Sequence, residues 1–410
     1  MSELLFGIAL FGLIIVAGYL AGKLFEKTHV PDVLLLIALG MVLGPLTGLV
    51  RTSLLGQAMP FAAALALVII MLAAGQRFNL MRVASILPSN SVFSFFAYFL
   101  SSALITLVAH FVFGWDLLHA AFLAFVVSDT CPTIVGALVS RLRSSEATRI
   151  SLSLEASISG ALSGVCAILV LRFLSAQSLD ASTALHTLAS AFAIAAVAGV
   201  VAALLWHRVL QRLDEKNFEY ILTLAAAVFL YSGVEFAGGN GAISVLALGV
   251  VLGNYGELAR IFSGAKPLKE REEYAFEDEV VFFVRTFFFV YIGIMFNFGV
   301  PFATLLLSLA ALACILAARV VSMRLLAPKA EDYLLQAFVI PTGLSAIVLS
   351  LVPAAWGISI PGVTDAVLLI VVLTNVVTTV AALIHNPSVA ARVAVASRPR
   401  VVGVEQRKRK

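Results

Sequence analysis

Thirteen apolar runs of roughly bilayer-spanning length, joined by short polar turns, decide most of what this chain can fold into. They fall at about 3–24, 31–49, 58–76, 92–113, 117–141, 149–174, 183–206, 219–236, 241–255, 276–297, 301–325, 332–353 and 361–384. Hydrocarbon offers no water to an unpaired N–H or C=O, so an apolar run of about 20 residues has to satisfy its backbone internally, as a helix. Only 12% of the 410 residues are charged, against about 25% in soluble domains. No interval between runs is long enough for an extramembrane domain. The expectation is an all-α polytopic membrane domain over 1–385 and a short basic tail over 386–410. Nothing basic precedes the first run, so no cleavable leader is expected.

The basic residues test this segmentation. After the odd-numbered runs come Lys23 and Lys27; Arg77 and Arg82; Arg141, Arg143 and Arg149; Arg208, Arg212 and Lys216; Arg260, Lys266, Lys269 and Arg271; Arg319, Arg324 and Lys329; and the seven basic residues from Arg392 to Lys410. That accounts for 24 of the 27 Lys and Arg, leaving Arg51, Arg172 and Arg285. A missed run in the middle would destroy the asymmetry. The positive-inside rule then puts the N-terminus outside and the C-terminus in the cytoplasm. The net charge of +4 belongs to this orientation signal and to lipid headgroups rather than to nucleic acid. Thirteen runs with an outside start read as six, a linker and six more. The offset of seven is odd, so span n and span n+7 run in opposite directions, as in an inverted repeat.

Two spans are interrupted at corresponding positions. Span 5 carries Ser128-Asp129-Thr130-Cys131-Pro132-Thr133 in its middle, and span 12 carries Pro341-Thr342-Gly343-Leu344-Ser345. Proline removes a donor and disrupts the helix. A carboxylate at that depth is expensive unless it serves an ion or substrate pathway. Pro132, Pro341 and Gly343 are therefore the expected helix breaks, and Asp129 is the candidate site carboxylate.

Span 6 places Ser151, Glu155, Ser159 and Ser163 on one slowly drifting face. Gly160 and Gly164 form a GxxxG suited to close helix packing. Glu155 needs a partner at its depth. Arg285 in span 10 lies within about a helical turn of the same depth, at 1.5 Å per residue, and is the candidate for a structural ion pair. Asp129 is the alternative partner for Arg285. Arg172 is expected to snorkel, and Glu235 and Asp365 to sit at the interface. Thr374, Asn375, Thr378 and Thr379 are expected to make helix-packing hydrogen bonds. Cys131, Cys166 and Cys314 lie in apolar runs and make no disulfide framework. The six histidines cluster near span ends and make no metal set. No nucleophile–base set points to an enzyme, and no cofactor is implied.

At this point the chain resembles the monovalent cation:proton antiporter superfamily, especially its prokaryotic sodium/proton branch. The resemblance covers nearly the whole chain. It rests on the order and spacing of Ser128–Thr133, Leu154–Gly160, Gly239–Asn254, Thr286–Gly293 and Pro341–Leu344. It implies a dimerisation part and a core with crossed, broken helices. It further implies alternating access, a homodimer, and a multi-pass protein of the cell (inner) membrane. The substrates implied are a monovalent cation, Na⁺ first among them, and protons, with no other metal.

The sequence departs from the family at three signature positions. Where the family commonly has Thr-Asp-Pro in span 5, this chain has Thr130-Cys131-Pro132. The span-6 Asp that carries the exchanged ions corresponds to Gly160. A base after the span-12 proline corresponds to Thr342. An acidic residue that some members carry near the end of span 3 is also missing around Ala73. Taken with the resemblance, the expectation is exchange at a relocated carboxylate, Asp129. Thr130, Cys131, Ser159, Glu155 and Thr342 would contribute to ion and proton binding. The alternative is a transporter fold that has lost cation/proton coupling and serves as a sensor, a partner-binding subunit or a carrier of another solute.

Overall fold

A computed structural model describes residues 2–28, 31–50, 59–78, 88–139, 144–175, 181–212, 218–256, 275–296, 298–328 and 332–385. The expected basic tail over 386–410 lies outside them. The helices are α1 (Ser2–Thr28), α2 (Asp32–Met41, continued by a π turn over Val42–Leu46), α3 (Met59–Arg77), α4 (Pro88–Phe111), α5 (Leu117–Val127), α6 (Pro132–Val139), α7 (Glu146–Ser175), α8 (Ala181–Leu210), α9 (Glu219–Phe236), α10 (Gly241–Gly253), α11 (Ala275–Ile294), α12 (Phe302–Leu326), α13 (Tyr333–Phe338), α14 (Leu344–Ala355) and α15 (Val363–His385). Each apolar run of the sequence coincides with one helix or one interrupted pair, and the interrupted pairs are α5–α6 and α13–α14. Among the described residues, seven helical stretches are individually long and apolar enough to cross a membrane, the interrupted α5–α6 among them.

Local chemistry places the helix ends. Asp116 caps α5 by accepting from Leu118 N at 2.9 Å and His119 N at 3.4 Å. Asn240 caps α10 through Ile243 N at 3.0 Å. Pro132 opens α6, a position where its missing N–H removes nothing from the helix. The π turn after α2 contains Pro45, which cannot donate to the preceding turn.

Helix packing divides the molecule into two groups. Helices α4 to α7 and α12 to α15 pack on one another as a core. In the other group α2 lies against α11, α3 against α10, and α8 and α9 against α10. The two groups meet chiefly where α14 lies on α3 and α11. Small residues bring the second group's backbones together. A Cβ on Gly40 would come within 2.8 Å of the Gly293 Cα, and one on Gly75 within 2.9 Å of the Gly249 Cα. These two contacts join spans 2 and 10 and spans 3 and 9, which exchange under the offset of seven spans.

Candidate functional site

The two interruptions meet in the core. The stretch 128–131 is non-helical between α5 and α6, and 339–343 is non-helical between α13 and α14. Cys131 N donates to the Pro341 carbonyl at 2.7 Å, which ties one break to the other. Gly343 sits at the closest approach. A side chain there would collide with Cys131, whose Cβ would lie 2.6 Å away.

Irregular backbone at membrane depth survives only when protein satisfies it. Helix α15 does so for the span-12 break. Thr378 Oγ1 accepts from Ile340 N at 3.1 Å, Thr374 Oγ1 accepts from Thr342 N at 3.3 Å, and Asn375 Nδ2 donates to Thr342 O at 2.8 Å. Three of the four α15 polar residues expected to pack helices thus hold the break open. Thr379 bonds within its own helix, to Asn375 O.

Asp129 is 2% exposed. One carboxylate oxygen accepts from the Ser159 hydroxyl of α7 at 3.5 Å, and the other accepts a short bond from the Ser345 hydroxyl in the first turn of α14. Ser159 Oγ also accepts from Thr130 N at 3.1 Å. No Lys, Arg or His pairs with Asp129 among the described residues. A Cβ built on Gly160 would lie 3.6 Å from Asp129 Oδ1 and 3.8 Å from Pro132 Cγ. The Asp129 carboxylate therefore stands beside the position from which a span-6 carboxylate would project.

The other expected site residues are distributed differently. Asp129, Thr130 and Ser159 are brought together. Thr342 lies at the crossing, but its hydroxyl donates to Val127 O at 3.4 Å rather than meeting Asp129. The Cys131 side chain packs against Gly343, just before the first turn of α14. Ser345, bonded to Asp129, is a candidate site residue that sequence reasoning misses. It follows the Pro-Thr-Gly-Leu stretch, and its hydroxyl reads equally well as an ordinary first-turn serine.

The expected Glu155–Arg285 pair is not formed. Glu155 pairs with Arg319 of α12, and the two side chains are 5% and 4% exposed. Arg285 pairs instead with Asp32 at 2.7 Å, at the start of α2, and not with Asp129. Helix adjacency is the reason: α11 lies along α2, in the other group from α7. Arg319 reads in the sequence as part of the orientation signal, yet it is seven residues inside α12. Its Nε donates to Gln336 O at 2.8 Å, and Gln336 reaches Thr148 Oγ1 at 3.0 Å. Glu155, Arg319, Ser159 and Thr130 line a cavity with Tyr98 and Ser128. Arg172, near the end of α7, is bonded to Glu235. On the opposite side of the site, Arg77 of α3 donates to Thr133 Oγ1 at 3.2 Å across the boundary between the groups.

The family described as "Sodium/hydrogen exchanger, transmembrane" matches residues 11–389. The chain belongs to that family. It is 30% identical over 223 residues to the low-affinity Na⁺/H⁺ antiporter NhaS1 of Synechocystis, a match spanning 53% of this chain and 42% of that protein. It is 22% identical over 302 residues to Na⁺/H⁺ antiporter 1 of Methanocaldococcus jannaschii, covering 71% of this chain and 68% of that one. The solved structure of the sodium proton antiporter MjNhaP1 from the same organism at pH 8 superposes with a TM-score of 0.73 at 18% identity, covering 96% of this chain and 99% of that one. This exchanger-family chain is accordingly a multi-pass membrane protein of the monovalent cation:proton antiporter superfamily, a group of transporters and not of enzymes.

Proposed function

We propose that the protein exchanges a monovalent cation, Na⁺ first among the candidates, for protons by alternating access, with Asp129 as the carboxylate that binds one or the other. The observation that carries this reading is the state of Asp129. It is buried at the crossing of two broken helices, flanked by two hydroxyls and paired with no cationic side chain among the described residues. Exchange needs one group that holds either ion but not both. Asp32 and Glu155 are each occupied by an arginine, so neither is free to do this. Asp129 has its negative charge uncompensated, and a proton or a cation neutralises it.

The cation ligands in this reading are the Asp129 oxygens with the hydroxyls of Ser159 and Ser345; Thr130 positions Ser159 through its N–H. Arg319 keeps Glu155 neutralised, a role the sequence alone pointed to Arg285 for. Protonation of Asp129 removes the charge that holds the cation, so falling pH releases cation and rising pH favours its binding. With one titrating carboxylate, one cation exchanges for one proton, and the cycle is electroneutral. A homodimer is part of this reading only as what the resemblance to the superfamily implies.

The names of the relatives and the intact helix breaks support exchange. Gly160 and Cys131, where the family has carboxylates, favour the second reading, a transporter fold without proton coupling. The deciding measurement is proton flux in proteoliposomes, scanned over Na⁺, K⁺ and Li⁺ and over pH, for the wild type and Asp129→Asn. Cation-dependent flux that Asp129→Asn abolishes is expected. Flux that survives Asp129→Asn refutes the role given to Asp129, and folded protein without flux for any cation moves the function to the second reading.

A further inference from the structure

We infer that Arg172, Glu235 and the α9–α10 turn form a latch across the boundary between the two helix groups, closed in the conformation described and open when the core moves. The inference rests on the alternating-access reading above. Arg172 lies three residues before the end of α7. Its Nη2 donates to the two Glu235 oxygens at 2.7 and 2.6 Å and to the Gly239 carbonyl at 3.0 Å. Its guanidinium carbon lies 4.8 Å from the centre of the Trp356 ring, just past the end of α14. Arg172 and Trp356 belong to the core; Glu235 and Gly239 belong to the other group.

The receiving side is built for this contact. Gly238 has a φ of +77°, a conformation that side-chain-bearing residues resist. It turns the chain between α9 and α10 so that the Gly239 carbonyl reaches the guanidinium. Glu235 Oε1 also accepts from Gly241 N at 2.9 Å. The same carboxylate therefore holds Arg172 and satisfies the start of α10. The run Gly238-Gly239-Asn240-Gly241, which in the sequence only separates two short spans, thereby presents backbone to the moving group.

Both charged side chains are 27% exposed, so water can replace the contact when it opens. A contact present in one conformation and absent in the other shifts the balance between them by its differential strength. The Arg172 cluster lies on the face where α7 and α9 end, opposite the face where α13 begins. Opening one face while closing the other is what alternating access requires, so the latch should couple the two faces. A static brace would not.

Hydrogen exchange on protein in lipid nanodiscs separates the two. Arg172→Gln and Glu235→Gln are each expected to raise amide exchange over 235–241 about fivefold, the scale of a partly exposed ion pair. In the same samples, exchange over 332–343 on the far face should fall. Faster exchange at 235–241 alone identifies a static brace and overturns the latch, as does no change in either segment. The second arm uses R172C/E235C in a C166S/C314S background, with the two introduced thiols joined by a cleavable bis-methanethiosulfonate linker. Joining is expected to stop cation-dependent proton flux and reductant to restore it. Undiminished flux in the joined protein overturns the latch. If the parent transports no cation, the transport reading fails, and the hydrogen-exchange arm still decides the latch by itself.

Discussion

At Gly160 a missing side chain and a neighbouring carboxylate occupy the same small region. The Cβ that glycine lacks would have only ordinary contacts, with Asp129 Oδ1 at 3.6 Å and Pro132 at 3.8 Å, so the first atom of a side chain is not excluded by space. Gly160→Asp is therefore expected to fold and to set a second carboxylate beside Asp129. Two carboxylates can give up more than one proton per cation, which makes exchange electrogenic. Flux under potentials imposed with K⁺ and valinomycin should respond to voltage in Gly160→Asp and not in the wild type. The same voltage response in both would show that Asp129 alone does not set the stoichiometry. The nearness of Asp129 to Gly160 was not legible in the sequence, where the two are 31 positions apart. Asp129 itself was legible, because a carboxylate next to a mid-span proline is rare at membrane depth.

Pairs of helices are fixed by pairs of charges. Glu155 on α7 and Arg319 on α12 are almost entirely buried, and removing one partner of such a pair leaves the other uncompensated, at about 3–5 kcal/mol. Arg319→Gln should lower the melting temperature in detergent markedly, and adding Glu155→Gln should recover most of the loss. An Arg319→Gln variant that melts like the wild type, or a double variant no better than the single, would contradict the burial of the pair. Depth matching did point to an arginine for Glu155. It pointed to Arg285 while Arg319 was counted in the orientation signal, and depth says nothing about which helix is adjacent. In the same way Asp32 looks like a first-turn residue after Pro31, whereas it is 1% exposed and receives Arg285. Its position at the start of α2 was readable; its partner was not.

Across the whole molecule the two helix groups differ in how they are held. The core is joined by polar contacts around two crossed breaks. The other group is joined by backbone approach at Gly40–Gly293 and Gly75–Gly249. A core whose broken backbone is tied to itself and to α15 can shift as a unit without exposing that backbone to lipid, which is the mechanical requirement of the proposed cycle. The distribution of basic residues adds an orientation to this architecture. A green fluorescent protein fused after Lys410 is expected to fluoresce, and an alkaline phosphatase at the same place to be inactive, because the former folds in the cytoplasm and the latter needs an oxidising compartment. The opposite result would invert the assignment of faces for every loop.

The sequence by itself determined the solvent, the run boundaries, the two interrupted spans and the buried carboxylate at the first of them. Each of these follows from chemistry local to a stretch of chain: hydropathy over about 20 residues, a proline that cannot donate, an acid with no water around it. The tertiary structure alone decided that Arg319 rather than Arg285 neutralises Glu155 and that Ser345 rather than Thr342 reaches Asp129. It also decided that Cys131 packs against Gly343 at the crossing and that Arg172 bridges two groups of helices. These depend on which helices are neighbours and how each is rotated. One residue along a helix turns a side chain by about 100°, so a reading accurate to a helical turn fixes depth and leaves partnership open.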